Sequence, residues 1–207
     1  MSDILKSSFQ HLVSAYTDDI ELNDSLWIDI VTAYSEQWRH YHTLCHLELM
    51  LLELQNVKYL INDWNSVLFA LFYHDIVYLP TRTDNEEVSA VFLSRVQDIL
   101  GVPHRCRVQS EEFVRATSGH THTTEIDKGL FLDADLAILG QEWEKYSLYA
   151  ANIRREYGMF SDVQYNEGRA AVLRRFLNMK FIYSTNEFRD RYEIRAKENL
   201  QRELSSS

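Results

Sequence analysis

Three histidines stand in the stretch RHYHTLCHLELM: His40, His42 and His46. His42 and His46 are four apart, and on a helix that spacing puts both imidazoles on one face. Imidazole carries protons near neutral pH and is a common ligand of divalent metals. A histidine pair is also ordinary protein surface, so the pair needs partners before it means anything chemical. ALFYHD supplies His74 and Asp75 beside Val67, Leu68, Phe69, Ala70, Leu71 and Phe72. A carboxylate among such residues is costly unless it is paired or ligates a metal. FLDADLAILG embeds Asp133 and Asp135 in a second apolar run. At helical spacing these two aspartates point to different sides, which predicts one inward and one solvated. ATSGHTHTTEID adds His120 and His122 in a polar loop, as plain surface or as metal ligands or phosphate donors.

Together these residues make a set of His, His-Asp and Asp spread over separate helices. Such ligands suit zinc, manganese, iron or other divalent ions, and the residue types alone do not choose between them. The combination is what a metal-activated water requires. Arg39 lies three residues before His42 and could meet a phosphate with two parallel hydrogen bonds; Arg82 is a further candidate. The plainer reading of both arginines is a surface ion pair of little worth. Glu86 and Glu87 are candidates for a second metal or for a substrate amino or hydroxyl group. For Glu87 a helix-capping role with Asp84 is the simpler account. Trp38, Tyr41, Tyr73 and Tyr78 flank the cluster and offer either stacking faces or core and rim.

The elements that must position these residues are helices. Apolar residues recur at helical spacing almost throughout, and six glycines and two prolines are few for 207 residues. The pattern predicts helices near 3–16, 24–37, 42–56, 63–78, 85–100, 105–117, 125–139, 142–157, 162–178 and 187–204. Ser161 is a candidate N-cap and Gly101 a candidate C-terminal stop. There is no useful strand pattern, internal repeat or Ser/Pro-rich linker. The expectation is one all-α domain over 1–207 with its core at about 24–180. The last helix, near 187–204, should cover that core through Phe188, Tyr192, Ile194 and Leu200.

The formal charge of −10 argues against a nucleic-acid polymer as partner and leaves room for a small anionic substrate. Cys45 and Cys106 form no disulfide framework, which fits a reducing compartment. The first residues lack a basic stretch followed by a long apolar one, so no signal peptide is expected. The most apolar run is too short to span a bilayer. The reading is a cytoplasmic protein without membrane contact.

With these residues in view, the chain resembles the HD-domain superfamily of metal-dependent phosphohydrolases. It looks closest to a bacterial family of predicted HD phosphohydrolases of unassigned substrate. YHTLCH, FYHD and ADL are also similar to the local motifs of cyclic-nucleotide phosphodiesterases. Further support comes from YNEGRAAVLRRFL and ENLQREL, so the resemblance runs from about Tyr34 onward. It implies an HD-domain-like helical fold of nine or ten helices. It also implies hydrolysis of a phosphate ester or anhydride, of a nucleotide or another small phosphorylated metabolite. His46, His74, Asp75 and Asp135 would ligate the ion, which could be Mn, Zn, Mg, Fe, Co or Ni. Asp75 would also serve catalysis, and His42 would protonate the leaving group. Many members follow the ligand histidine with Ser or Thr, a form that His42-Thr43 fits, so either His42 or His46 is the ligand, His46 being favoured. His120 and His122 resemble the extra histidines of two-metal members. Asp135 is preferred over Asp133 because ADL matches the motif. Two other readings are a di-iron oxygenase of the same superfamily and a non-catalytic metal- or nucleotide-binding regulatory module.

Overall fold

The computed structural model describes residues 3–206. Among them are ten α-helices, two short 3₁₀ turns and no strand, so the all-α expectation holds. The helices divide between two compact units, one running to Thr121 and one from His122.

The first unit contains α1 (Asp3–Ser14), α2 (Ile20–Ala33), α3 (Leu44–Asn56), α4 (Trp64–Tyr73), α5 (Asn85–Leu100) and α6 (His104–Ala116). Its centre is α4, in which every residue from Ser66 to Tyr73 is buried. A helix apolar all round can only be a core helix, and α1, α3, α5 and α6 pack against it. Phe9 of α1 meets the Phe72 ring edge-on at 5.0 Å and tilts against Trp27 of α2 at 5.6 Å. Asp63 starts α4 by accepting from the Ser66 N–H at 3.0 Å. The helix stops at Tyr73, with His74 as its C-cap, rather than running on to residue 78.

The chain after Asp75 is latched to α5 by two side chains. The Ser89 hydroxyl accepts from the Val77 N–H and donates to the Val77 carbonyl, both at 3.2 Å. Asn85 does the same with Leu79, its carbonyl accepting at 3.0 Å and its amide donating at 2.9 Å. Each imitates the partner that a neighbouring strand would provide. Gly101 ends α5 in the left-handed region at φ 65°, as expected from sequence. The expected capping box at its start does not form. Asp84 makes no side-chain cap, and Glu87 instead accepts from the Arg115 guanidinium of α6 at 2.7 and 3.2 Å.

The second unit contains α7 (Ile126–Asp135), the 3₁₀ turn Leu136–Gly140, α8 (Trp143–Glu156), α9 (Asp162–Asn178) and α10 (Asn186–Ser206). Ser161 and Gln164 cap α9 reciprocally, which bears out Ser161 as a cap. α10 lies on the 3₁₀ turn and on α9 and buries Phe188, Tyr192, Ala196, Asn199 and Leu200. Ile194, placed in that stripe by the sequence reading, is 77% exposed. It is two residues past Tyr192, about 200° around the helix, and so faces away.

Gly140 permits the close approach of α10. A Cβ there would stand 2.5 Å from the Tyr192 Cβ and 2.7 Å from the Tyr192 carbonyl oxygen. Backbone cannot move aside as a flexible side-chain end can. Gly140→Ala is therefore expected to destabilise the chain by about 1–3 kcal/mol, the usual cost of overpacking. A lower urea midpoint with an unchanged slope is the expected readout, and an unshifted midpoint refutes the contact argument.

Candidate metal centre

Among the described residues, one group of three or more His, Cys, Asp and Glu side chains has its ligand atoms within 4.8 Å of one another: His46, His74 and Asp75. His46 comes from the first turn of α3, and His74 and Asp75 from the turn that ends α4. The two histidines are 4% and 1% exposed. The Asp75 side chain sits at the edge with 13% exposure.

The donor geometry is specific. The His74 Nδ1–H donates to the Leu71 carbonyl at 3.0 Å, which leaves the Nε2 lone pair of the neutral ring directed at the cluster. That Nε2 lies 3.2 Å from His46 Nε2 and 3.1 Å from Asp75 Oδ2. Three lone-pair atoms facing one another repel unless a proton or a cation sits among them. The donor set fits a divalent ion on that ground, with two imidazoles and one carboxylate of the kind that catalytic zinc and non-haem iron sites use. Burial alone would push the Asp75 carboxyl up. The imidazoles of His74, His42 and His46 outweigh it and hold the carboxyl well below the usual carboxylate range.

His42 departs from its expected place. α3 begins at Leu44, and Thr43 is its extended N-cap at φ −116°, ψ 178°. The Thr43 N–H turns back to the Tyr41 carbonyl at 2.7 Å, a tight turn that no helix contains. His42 therefore precedes the helix and does not share a helical face with His46, although their ring centroids are 5.8 Å apart. Its ring lies tilted against Tyr78 at 4.1 Å, and its Nε2 stands 3.9 Å from Asp75 Oδ2. Of the flanking aromatics, Tyr41 also meets the His42 ring, edge-on at 5.0 Å, and tilts against His46 at 5.0 Å.

Arg39 also differs from expectation. Its side chain is fully buried and donates to the Glu36 carboxylate at 2.9 Å and to the His42, Asp75 and Ile76 carbonyls at 3.3, 2.7 and 3.3 Å. Those donors are spent inside the protein, which removes Arg39 from the expected phosphate-binding set. Tyr34, which the sequence reading missed, accepts from the Asp75 N–H at 3.2 Å. No local signal could have found it, because the contact joins residues 41 apart to a backbone group.

Arg82 pairs with Asp84 at 2.9 Å on the surface, a contact of little energetic weight. His120 closes α6 through its N–H to the Ala116 carbonyl, at φ 43° in the left-handed region. Glu86 is half-buried on the first turn of α5; burial pushes its carboxyl up, and the charge of Asp75 adds to that.

The remaining expected residues belong to the second unit. His122 is exposed, 3.4 Å from the Arg189 guanidinium. Asp133 is the inward aspartate of its pair, 1% exposed. It accepts from the N–H groups of Ser184 and Thr185 at 2.7 and 2.8 Å and from the Thr185 hydroxyl at 2.6 Å. Its work is to hold that loop. Asp135, the last residue of α7, is half-buried.

The geometry separates His42 from His46. His46→Ala is expected to weaken zinc binding by more than about 100-fold, beyond what loss of a supporting contact costs. His42→Ala should stay within a few-fold of wild type in calorimetric titration. Equal losses in both variants would make His42 a ligand as well.

No protein-family model, curated protein or solved structure matches the chain.

Proposed function

We propose that the protein is a metal-dependent phosphohydrolase that cleaves a phosphate ester or anhydride of a nucleotide or another small phosphorylated metabolite. The observation that carries the reading is the convergence of His46 Nε2, His74 Nε2 and an Asp75 carboxylate oxygen, with His42 beside them. Three protein ligands leave room for water or substrate, which is the arrangement of a catalytic rather than a structural site. A divalent ion bound there would supply an activated water and polarise a phosphoryl oxygen.

The protein's own residues divide the remaining work. His74, fixed by the Leu71 carbonyl, presents one nitrogen in a single tautomer. Asp75 stays ionised and keeps negative charge at the edge of the site. His42, beside the Tyr78 ring, would give a proton to the leaving oxygen, a contribution of about 10²–10⁴-fold in rate. The phosphate class of the substrate rests on the resemblance of the motifs to HD-domain proteins, and the cytoplasmic location is part of the same proposal. No helix among the described residues is long and apolar enough to cross a membrane.

Metal analysis of the purified chain, followed by a panel of phosphate esters, nucleotides and cyclic nucleotides with that metal, tests the proposal. The expected result is a bound divalent ion and turnover of at least one phosphate. A chain that binds no divalent ion refutes it. Two histidines and a carboxylate also form the donor set of non-haem iron oxygenases. Stoichiometric iron with oxygen consumption, and no phosphate release, would favour that reading. Tight binding of a nucleotide without turnover would favour a regulatory module.

A further inference from the structure

We infer that Arg39 is the positioning residue of this site: its guanidinium holds the main chain of His42 and of Asp75 in fixed relation, and with it the arrangement of the ligand atoms. The inference rests on the metal reading above.

Two segments far apart in sequence meet at this one side chain. The stretch before α3 contributes the His42 carbonyl, and the turn after α4 contributes those of Asp75 and Ile76. The Asp75 peptide units are pinned from two directions. Arg39 takes the carbonyl at 2.7 Å, and Tyr34 takes the N–H at 3.2 Å. The Tyr34 ring also lies under the guanidinium at 5.0 Å, with Tyr78 near it at 5.5 Å. Tyr78 is the ring against which His42 tilts at 4.1 Å. One planar cation thus touches the backbone or the support of a ligand and of the proposed proton donor at once.

A fixed cation beside a site for a dication would repel it unless its charge were met. Glu36 meets it, at 2.9 Å from Nε. Lysine cannot replace this arrangement. Its ammonium is a compact point charge without the planar fork that reaches several carbonyls, and it stacks less well on rings.

Co²⁺ titrated into the 207-residue chain reads the geometry through its visible absorption and the affinity through its titration curve. Arg39→Lys is expected to lose at least about 10-fold in Co²⁺ affinity, the scale of a supporting contact, and to change the shape of the absorption bands. Glu36→Gln removes the counter-charge but keeps the carbonyl contacts, so it should weaken affinity while keeping the wild-type band shape. Wild-type bands and affinity in Arg39→Lys overturn the inference even if that variant melts at lower temperature. So does a changed band shape in Glu36→Gln. If Arg39→Lys does not fold, the Arg39 Nε–H resonance of the wild-type chain decides. It should shift when Zn²⁺ is added, and an unmoved resonance overturns the inference. Failure of the wild-type chain to bind Co²⁺ or Zn²⁺ at all instead overturns the proposed function, which keeps the two failures apart.

Discussion

Asp75→Ala is expected to leave a helical chain that no longer holds a divalent ion. The carboxylate is the only anionic member of the three-atom cluster, and both imidazole nitrogens that face it are neutral ligands when an ion is bound. Losing it removes the charge that offsets the dication and one of its contacts together. Contacts to the supporting groups of metal ligands are worth about 10–100-fold in affinity, so the loss here should exceed 100-fold. The fold should tolerate the change. The Asp75 N–H to Tyr34 and the Asp75 carbonyl to Arg39 are backbone contacts that alanine keeps. Asp75→Asn separates charge from shape, because it fills the same volume and should lose nearly as much. Metal content after gel filtration, with circular dichroism as the fold control, is the measurement. Full metal content in Asp75→Ala would show the ligand assignment to be wrong.

Asp133→Ala should strongly destabilise the second unit. The carboxylate is the partner of two backbone N–H groups and a hydroxyl in the 184–185 loop. A buried donor left without a partner costs about 1–3 kcal/mol. With Thr185 buried and Ser184 half-buried, the sum is about 2–5 kcal/mol, a large part of the 5–15 kcal/mol that holds a typical domain. A melting temperature within about 2 °C of wild type would contradict this. Burial also pushes the Asp133 carboxyl up to about 6, against its three hydrogen-bond donors. Its pKa in the folded state therefore lies above the ordinary value of 3.8. The further stability that comes from its protonation is fully present below about pH 4 and is lost as pH rises through 6. A shift of about two units corresponds to about 3 kcal/mol. Wild type should thus gain on Asp133→Asn when both are unfolded with urea at pH 4 rather than pH 7. A difference that does not change with pH would refute the sign.

Much of this was legible in the sequence, for reasons that differ from residue to residue. α5 and α9 begin and end where periodicity and the signals of Gly101 and Ser161 put them. His74 and Asp75 drew notice because core packing asks for neither, and His46 because it stands four residues after His42. What stayed hidden was direction. Nothing local separates an arginine aimed at a phosphate from one aimed at carbonyls 36 and 37 residues away, and Arg39 is the second kind. Glu87 could cap its helix or meet a metal or a substrate group, and Arg115 on the next helix took it instead. His42 and His46 have helical spacing, but the Tyr41–Thr43 turn takes His42 out of the helix. Asp133 and Asp135 could be told apart as inward and half-buried only once the 184–185 loop was in place. The boundary after Thr121 falls in a polar loop whose composition does not mark it.

The latch made by Asn85 and Ser89 has a consequence for motion. The segment from Val77 to Leu79 lies outside the helices, and such segments usually breathe freely and early. Here its amide and carbonyl groups are tied to side chains of α5, so the segment belongs to the same cooperative unit as that helix. Opening next to His74 and Asp75 requires the first turns of α5 to open too. The segment that leaves His74 and Asp75 should therefore open only together with the start of α5.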